Sequence, residues 1–268
     1  MNGRVYVSFE GTLVSVASSI PDVTSWVSFC FRAMLADRTN GRAPASSLEV
    51  VRTGSGFALN RDGQTLLEAE TLVPVLQRTR HEVIQAHVDN RRELLWLHAG
   101  AVASEAGAVL LIGPTGSGKS SLTARLVETD WSYLSDDIAP LHPETFAVHP
   151  YPLTPFNREH TGEPLGPDGI ASLDKVTVNI APDRYAREPS PVRALVFPVY
   201  DPDHPGIVPV TPGPASLRLL AQGINTRDLG EAAVRTAAGV NRENPAFELH
   251  YADPTRAVTD LLEHLGTP

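Results

Sequence analysis

At 268 residues the chain can hold one large domain, or one domain with a small companion. Its 42% hydrophobic and 20% charged residues are ordinary for a globular protein, and a net charge of −9 argues against a nucleic-acid or anionic-membrane partner. The single cysteine, Cys30, set among Val27, Phe29 and Phe31, excludes an intramolecular disulfide, reads as a buried thiol and fits a reducing cytoplasmic compartment.

Residues 1–90 read as a small α/β region. Alternating apolar residues predict strands over 4–9 and 12–17, joined by a turn at Glu10-Gly11. Glu10 also interrupts the apolar run from Val5 before it reaches the length of a signal-peptide core. The spacing of Trp26, Phe29, Cys30 and Met34 predicts a helix over 23–36, and the polar stretch 38–47 a connection. Segments 47–52 and 56–60 suggest another hairpin, followed by a turn at Arg61-Asp62-Gly63. Leu72, Val75, Leu76, Val83 and Ile84 mark the clearest helix of this half, over 71–88.

From residue 91 the pattern changes. A strand is predicted over 94–102, then three turn residues at Glu105-Ala106-Gly107, then an apolar strand over 108–112. So short a connection makes the two strands antiparallel neighbours. A helix is expected over 120–128, with Leu122, Leu126 and Val127 on one face, followed by a short strand over 131–134 that ends in Ser135-Asp136-Asp137. The proline-dense tract 140–167 is expected to hold neither a central strand nor a long helix. Strands are predicted over 175–180 and 192–200, helices over 214–222 and 229–238, and a strand over 246–251. The last helix takes Asp253 as N-cap and Pro254 at its first position. No window approaches the ~18 apolar residues of a membrane span, and the nine histidines lack the spacing of a structural zinc site.

Between the 108–112 strand and its helix stand Gly113-Pro114-Thr115-Gly116-Ser117-Gly118-Lys119-Ser120, a complete GxxxxGKS phosphate loop, with Ser121 next in the helix. Gly113, Gly116 and Gly118 permit the tightly turned or positive-φ backbone that aims successive N–H groups into one concavity, and the helix adds its positive end. Lys119 supplies a cation for the β- and γ-phosphates, and the Ser120 hydroxyl a ligand for Mg²⁺. Only two of the 22 basic residues are lysines, Lys119 and Lys175. Binding of a nucleoside triphosphate is expected, with ATP and GTP not distinguished. In most proteins with such a loop the strand before it is reached by a helical crossover within a parallel sheet, so the antiparallel approach here points to a different lineage.

Asp136-Asp137 falls 16 residues beyond Ser120, at a strand end where a metal-bound triphosphate needs carboxylates. One acid can hold Mg²⁺ and the other can accept a proton from an attacking hydroxyl. The preferred order puts Asp136 at the metal and Asp137 as the base, with the reverse order left open. Adjacent strand residues project to opposite faces, so the two acids are expected to do different jobs. His98, inside the first strand of the hairpin, reads on its own as a core histidine.

Taken together, His98, the loop 113–120 and Asp136-Asp137 resemble the catalytic domain of the HPr kinase/phosphorylase family, whose architecture is shared with ATP-dependent phosphoenolpyruvate carboxykinase. In that family a histidine-bearing strand pairs with the strand entering the phosphate loop, and a helix and short strand deliver an Asp-Asp pair. The resemblance covers about residues 91–268 and is tight over 97–137. It implies an α/β fold: a mixed-sheet phosphate-loop kinase domain of this type over 91–268, preceded by the small N-terminal α/β region over 1–90. It also implies phosphorylation of a serine hydroxyl using ATP and Mg²⁺, and it brings His98 into the catalytic set with Lys119, Asp136 and Asp137.

Segments 194–200 and 247–254 are similar to an HPr kinase-related subgroup, some of whose members phosphorylate ribosomal peptide precursors. The family's Glu-Ile-Arg-Gly-Leu-Gly stretch has no counterpart here; residues 150–160 stand in its place, so neither HPr as acceptor nor reverse phosphorolysis is implied. Tyr151, Phe156 and Arg158 of that stretch, with part of 1–90, are the expected acceptor contacts. The expected activity is therefore transfer of the γ-phosphoryl group to a serine or threonine of a peptide or small protein. A kinase for a small-molecule hydroxyl is the first alternative, and an ATP-binding switch without transfer the second. A homo-oligomer is compatible with the sequence.

Overall fold

The computed structural model describes residues 3–37, 42–155 and 180–266. Among these, one unit runs to Arg91 and a second begins at Arg92. Both are mixed α/β, with seven α-helices among the described residues.

In the first unit five strands lie in sequence order: β1 (Gly3–Phe9), β2 (Thr12–Ser18), β3 (Ser46–Thr53), β4 (Gly56–Arg61) and β5 (Gln64–Ala69). Neighbours are antiparallel except β2 and β3, which pair in parallel after the crossover that carries α1 (Pro21–Cys30). Two hairpins close with positive φ at both central residues, Glu10 (45°) with Gly11 (82°) and Asp62 (51°) with Gly63 (83°). That geometry matches the right-handed twist of the strands it joins. The long helix α2 (Leu72–Asn90) packs beside α1 over the sheet, tied by the Trp26 indole N–H donating to Leu76 O at 2.9 Å. Two expectations change here. The helix over 23–36 ends at Cys30 and resumes only as a 3₁₀ turn, Arg32–Met34. Strand β5 carries no strong apolar alternation because it is a mostly exposed edge, and the Asp62-Gly63 turn folds it back onto β4.

The second unit is built on nine strands: β6 (Leu95–Leu97), β7 (Ala99–Ser104), β8 (Gly107–Ile112), β9 (Ser132–Ser135), β10 (Ala139–Leu141), β11 (Ala147–Val148), β12 (Ser190–Tyr200), β13 (Gly206–Pro209) and β14 (Ala246–Tyr251). Their order is β6-β10-β11-β12-β8-β7-β9, with β14 on β12 and β13 on β14. Strands β8, β12 and β14 run parallel, and the other pairs are antiparallel. Ala108, Leu110 and Ile112 face one core, shared with α4 (Pro212–Ala221) and α6 (Glu231–Glu243) through Leu219 and Val240. Val109 and Leu111 face the other, shared with α3 (Lys119–Val127) and α7 (Pro254–Leu265) through Leu122, Leu126 and Leu261. Strand β8 is therefore buried on both faces, which is why it reads as an unbroken apolar run. The short helix α5 (Thr226–Leu229) links α4 to α6. The Asp253 carboxylate caps α7 by accepting from the Arg256 amide at 2.8 Å, as the sequence predicts.

The single strand expected over 94–102 is two strands broken at His98. Strand β6 pairs with β10, whereas β7 pairs with β8 and β9. At the break the His98 amide leaves the ladder and donates to Gln222 O at 2.8 Å, so the chain changes partners without stranding a donor. Pro140 also departs from expectation, lying in β10 between β6 and β11. It is tolerated because only its carbonyl is needed toward β11, where it accepts from the His149 amide at 2.9 Å. The strand predicted over 175–180 and the rest of the proline tract beyond Pro155 lie outside the described residues. No helix among the described residues is long and apolar enough to cross a membrane.

Candidate phosphate-binding site

Strand directions bring the chemistry-bearing residues to one edge of the large sheet. Strand β8 ends at Ile112, and the loop begins at the next residue. Ala99, opposite Ile112, starts the antiparallel β7, so His98 precedes it at the same edge. Strand β9 is antiparallel to β7 and hence runs with β8, so its end at Ser135 delivers Asp136 and Asp137 there too. Strands β12 and β14, parallel to β8, end on this edge at Tyr200 and Tyr251. Ligands of open α/β sheets bind outside such carboxyl strand ends.

The loop itself has the backbone an anion cradle requires. Gly116 has φ 88° and Gly118 φ 91°, a region closed to most side chains. Gly118 is also the N-cap of α3, and the first helical bond runs from the Leu122 amide to Gly118 O at 3.0 Å. The amides of Lys119, Ser120 and Ser121 precede that bond and so point out of the helix N-terminus with no intrahelical acceptor. Pro114 and Thr115 form the exposed crest, with Pro114 O accepting from the Ser117 amide at 3.2 Å. Lys119 is buried, and its ammonium donates to Gly113 O at 2.7 Å and Pro114 O at 3.0 Å, so its head is folded into the loop. The Ser117 hydroxyl oxygen is buried with no hydrogen-bond partner, an uncompensated polar atom inside the cradle. These features fit a polyphosphate.

Two contacts that sequence reading missed hold this loop in shape. A side chain at Gly118 would overlap the Tyr251 hydroxyl, which donates to Ser117 O at 3.2 Å. Burial, with Tyr200 beside it, raises the Tyr251 phenol above its ordinary pKa, so it stays a donor. On the other flank, a Cβ at Gly100 would come within 2.6 Å of the Thr123 hydroxyl, so α3 rests directly on the β7 backbone. Tyr251 and Gly100 lie in stretches that carry the resemblance, but their bracing roles show only through partners far along the chain.

The two acids lie in the bend after β9 and differ in burial. Asp136 is buried at 6% exposure, whereas the Asp137 side chain is one-third exposed. The bend that holds them is pinned by the Ser135 hydroxyl, which donates to Ile138 O at 2.5 Å and accepts from the Ile138 amide at 3.3 Å. His98 Nδ1 lies 3.0 Å from Asp137 Oδ1 and 3.1 Å from Asp137 O. A tautomer protonated at Nδ1 fixes the carboxylate and leaves Nε2 as an acceptor. Among the described residues no three His, Cys, Asp or Glu side chains form a metal cage. A Mg²⁺ ion carried in with phosphate oxygens does not need one, since one or two protein ligands such as Ser120 and Asp136 suffice.

Of the expected acceptor contacts, Phe156 and Arg158 lie outside the described residues. Tyr151 is a correction: its ring is fully buried, edge-on to Trp96 with centroids 5.3 Å apart, and is not a surface platform. Its amide also donates to Leu134 O at 3.0 Å, and its aromatic character serves the core. No protein-family model matches the chain, and no curated protein matches it.

Proposed function

We propose that this protein is an ATP- and Mg²⁺-dependent kinase of the HPr kinase-like type, transferring the γ-phosphoryl group to a serine or threonine hydroxyl of a peptide or small protein. The observation that carries the reading is the convergence on one sheet edge of the loop 113–120, the buried Asp136 and the His98–Asp137 pair. A pure nucleotide binder has no use for a histidine-oriented carboxylate beside its phosphate loop.

When bound, MgATP supplies the phosphoryl group and the divalent charge that neutralises it. The loop amides and Lys119 would hold the phosphate oxygens, Lys119 giving up its loop carbonyls for them, and Ser120 and Asp136 would hold the cation. Asp137, oriented by His98, accepts the proton of the attacking hydroxyl as the new O–P bond forms. The bond from phosphorus to the leaving diphosphate breaks, and the proton ends on the Asp137 carboxylate. Positioning and charge neutralisation do most of the work in such a transfer.

Burial of Tyr151 favours a second reading, in which the acceptor is a small-molecule alcohol that needs no aromatic peptide platform. Both readings share one test. Calorimetric titration with MgATP is expected to show binding by the wild type and a loss of affinity in Lys119→Ala and in Lys119→Arg, whose planar guanidinium cannot replace a compact ammonium. Unchanged affinity and turnover in both folded variants would overturn the phosphate-loop assignment.

A further inference from the structure

We propose that Tyr200 is the stacking platform for the nucleobase, an inference that rests on the nucleotide-binding reading above and adds the base end of the site. The order of the strands sets the direction in which a nucleotide can lie. Across the edge the sequence is β14, β12, β8, β7, β9, with the phosphate loop on β8. His98, Asp136 and Asp137 all lie on the β7 and β9 side. A nucleoside triphosphate is an extended molecule with its reacting phosphoryl at one end and its base at the other. With the γ-phosphoryl turned toward Asp137, the remainder runs the opposite way, past the loop toward β12 and β14.

An exposed aromatic ring stands there. Strand β12 continues four residues beyond its last pairing with β8, Val196 with Leu111, and ends at Tyr200. Alternation puts Tyr200 on the same face as Val196, the face that carries α3 and therefore the loop's helix. Its side chain is unusually open for a tyrosine at the end of a core strand, at 66% exposure. The ring is nonetheless held in place. It meets Tyr251 edge-on, with centroids 6.1 Å apart and planes at 84°, and the Asp201 amide that follows donates to Tyr251 O at 2.9 Å. Tyr251 in turn braces Ser117 and Gly118. Tyr200 is thus linked to the loop through Tyr251 while most of its surface is open to solvent. That arrangement serves base stacking, which is worth a large factor in affinity and is tolerant of base identity because every base has a π-face.

The test compares two Mg²⁺-bound probes, ATP and inorganic tripolyphosphate, on the intact protein. Tyr200→Ala is expected to weaken ATP binding by about tenfold or more, to leave tripolyphosphate binding unchanged, and to leave thermal stability near wild type because the ring is exposed. Tyr200→Phe, which keeps the ring, is expected to bind ATP like the wild type. Unaltered ATP affinity in Tyr200→Ala overturns the platform. So does an equal loss for both probes, which would make Tyr200 a brace for the loop. Neither result touches the phosphate site, provided the wild type binds tripolyphosphate. Failure of the wild type to bind either probe sinks both proposals.

Discussion

The two units solve similar architectural problems with opposite treatment of their special residues. In the first unit, the two-residue turns at Glu10-Gly11 and Asp62-Gly63 carry positive φ, and a side chain at Gly63 would meet nothing within 4 Å. In the second, Gly118 adopts a similar φ but is enclosed by Tyr251, whose hydroxyl also reaches Ser117 O, 134 residues away from it along the chain. Charges divide in the same way. Arg61 of the first unit is closed off by Glu82 at 3.1 Å and Asp89 at 2.6 Å, and Glu82 also takes Arg78 at 2.7 Å. These ions pair with one another in a network of two arginines and two acids. At the loop edge of the second unit, Asp137 is paired with a histidine and stays part-exposed. Satisfied polar groups hold a fold, while groups held in place with capacity to spare make a site.

The largest effect expected from breaking this contrast is on phosphoryl transfer. Asp137→Asn should cut acceptor-dependent ADP release, measured with a pool of serine- and threonine-bearing peptides, by about 10²–10⁴-fold at unchanged MgATP affinity. Asp136→Asn should instead raise the Mg²⁺ requirement. Near-wild-type rates in both would remove the pair from the chemistry.

Next in size is the pair of glycines. Gly118→Ala forces a Cβ into the Tyr251 hydroxyl at φ 91°, so MgATP affinity should fall by tenfold or more on the order expected for a strained, displaced loop. Adding Tyr251→Phe should recover part of it. Gly63→Ala should lower stability by only about 1 kcal/mol and leave MgATP binding untouched. Similar losses of affinity in the two single variants would erase the distinction drawn between the turns.

Away from the loop, a pH dependence is seated in the first unit and leaves MgATP binding aside. Burial lowers the His87 pKa from 6.5 to about 4, against two backbone hydrogen bonds that oppose the shift. Above pH 6.5 His87 is neutral folded and unfolded, and contributes no pH dependence. Below it the unfolded chain takes up a proton that the folded chain refuses, so stability falls until about pH 4, by up to ~3 kcal/mol. Cys30 of the same unit, whose thiol burial pushes up to about 12, reports the event, since it should react with a thiol reagent only when the unit opens. Cys30 labelling at pH 5 should outpace labelling at pH 7 after correction for the intrinsic thiolate fraction, and His87→Gln should flatten the difference. An equal opening rate at both pH values would remove His87 as the cause.

Much of this was legible because it is local. The hairpin turns at Glu10-Gly11 and Asp62-Gly63, the Asp253 cap and the β7–β8 hairpin follow from turn chemistry and alternation within a few residues. The phosphate loop is likewise a local signal, since its glycines, lysine and serine act through one continuous stretch of backbone. The break at His98, the admission of Pro140 to an inner strand and the edge strand β5 were not legible. Each depends on which distant carbonyl or strand happens to lie alongside: Gln222 for His98, His149 for Pro140, β4 for β5.

What the sequence determined by itself is therefore the α/β character, the loop and the presence of two acids at a strand end. Tertiary structure alone decided that Asp137 meets His98 across 39 residues, that Tyr251 closes on Gly118, and that Tyr151 belongs to the core rather than to the surface. The physical reason is that helices, turns and loops are fixed by backbone torsions and nearest neighbours. Which side chains share an edge is fixed by strand order and direction, and these are settled only when the two faces of the large sheet are buried together.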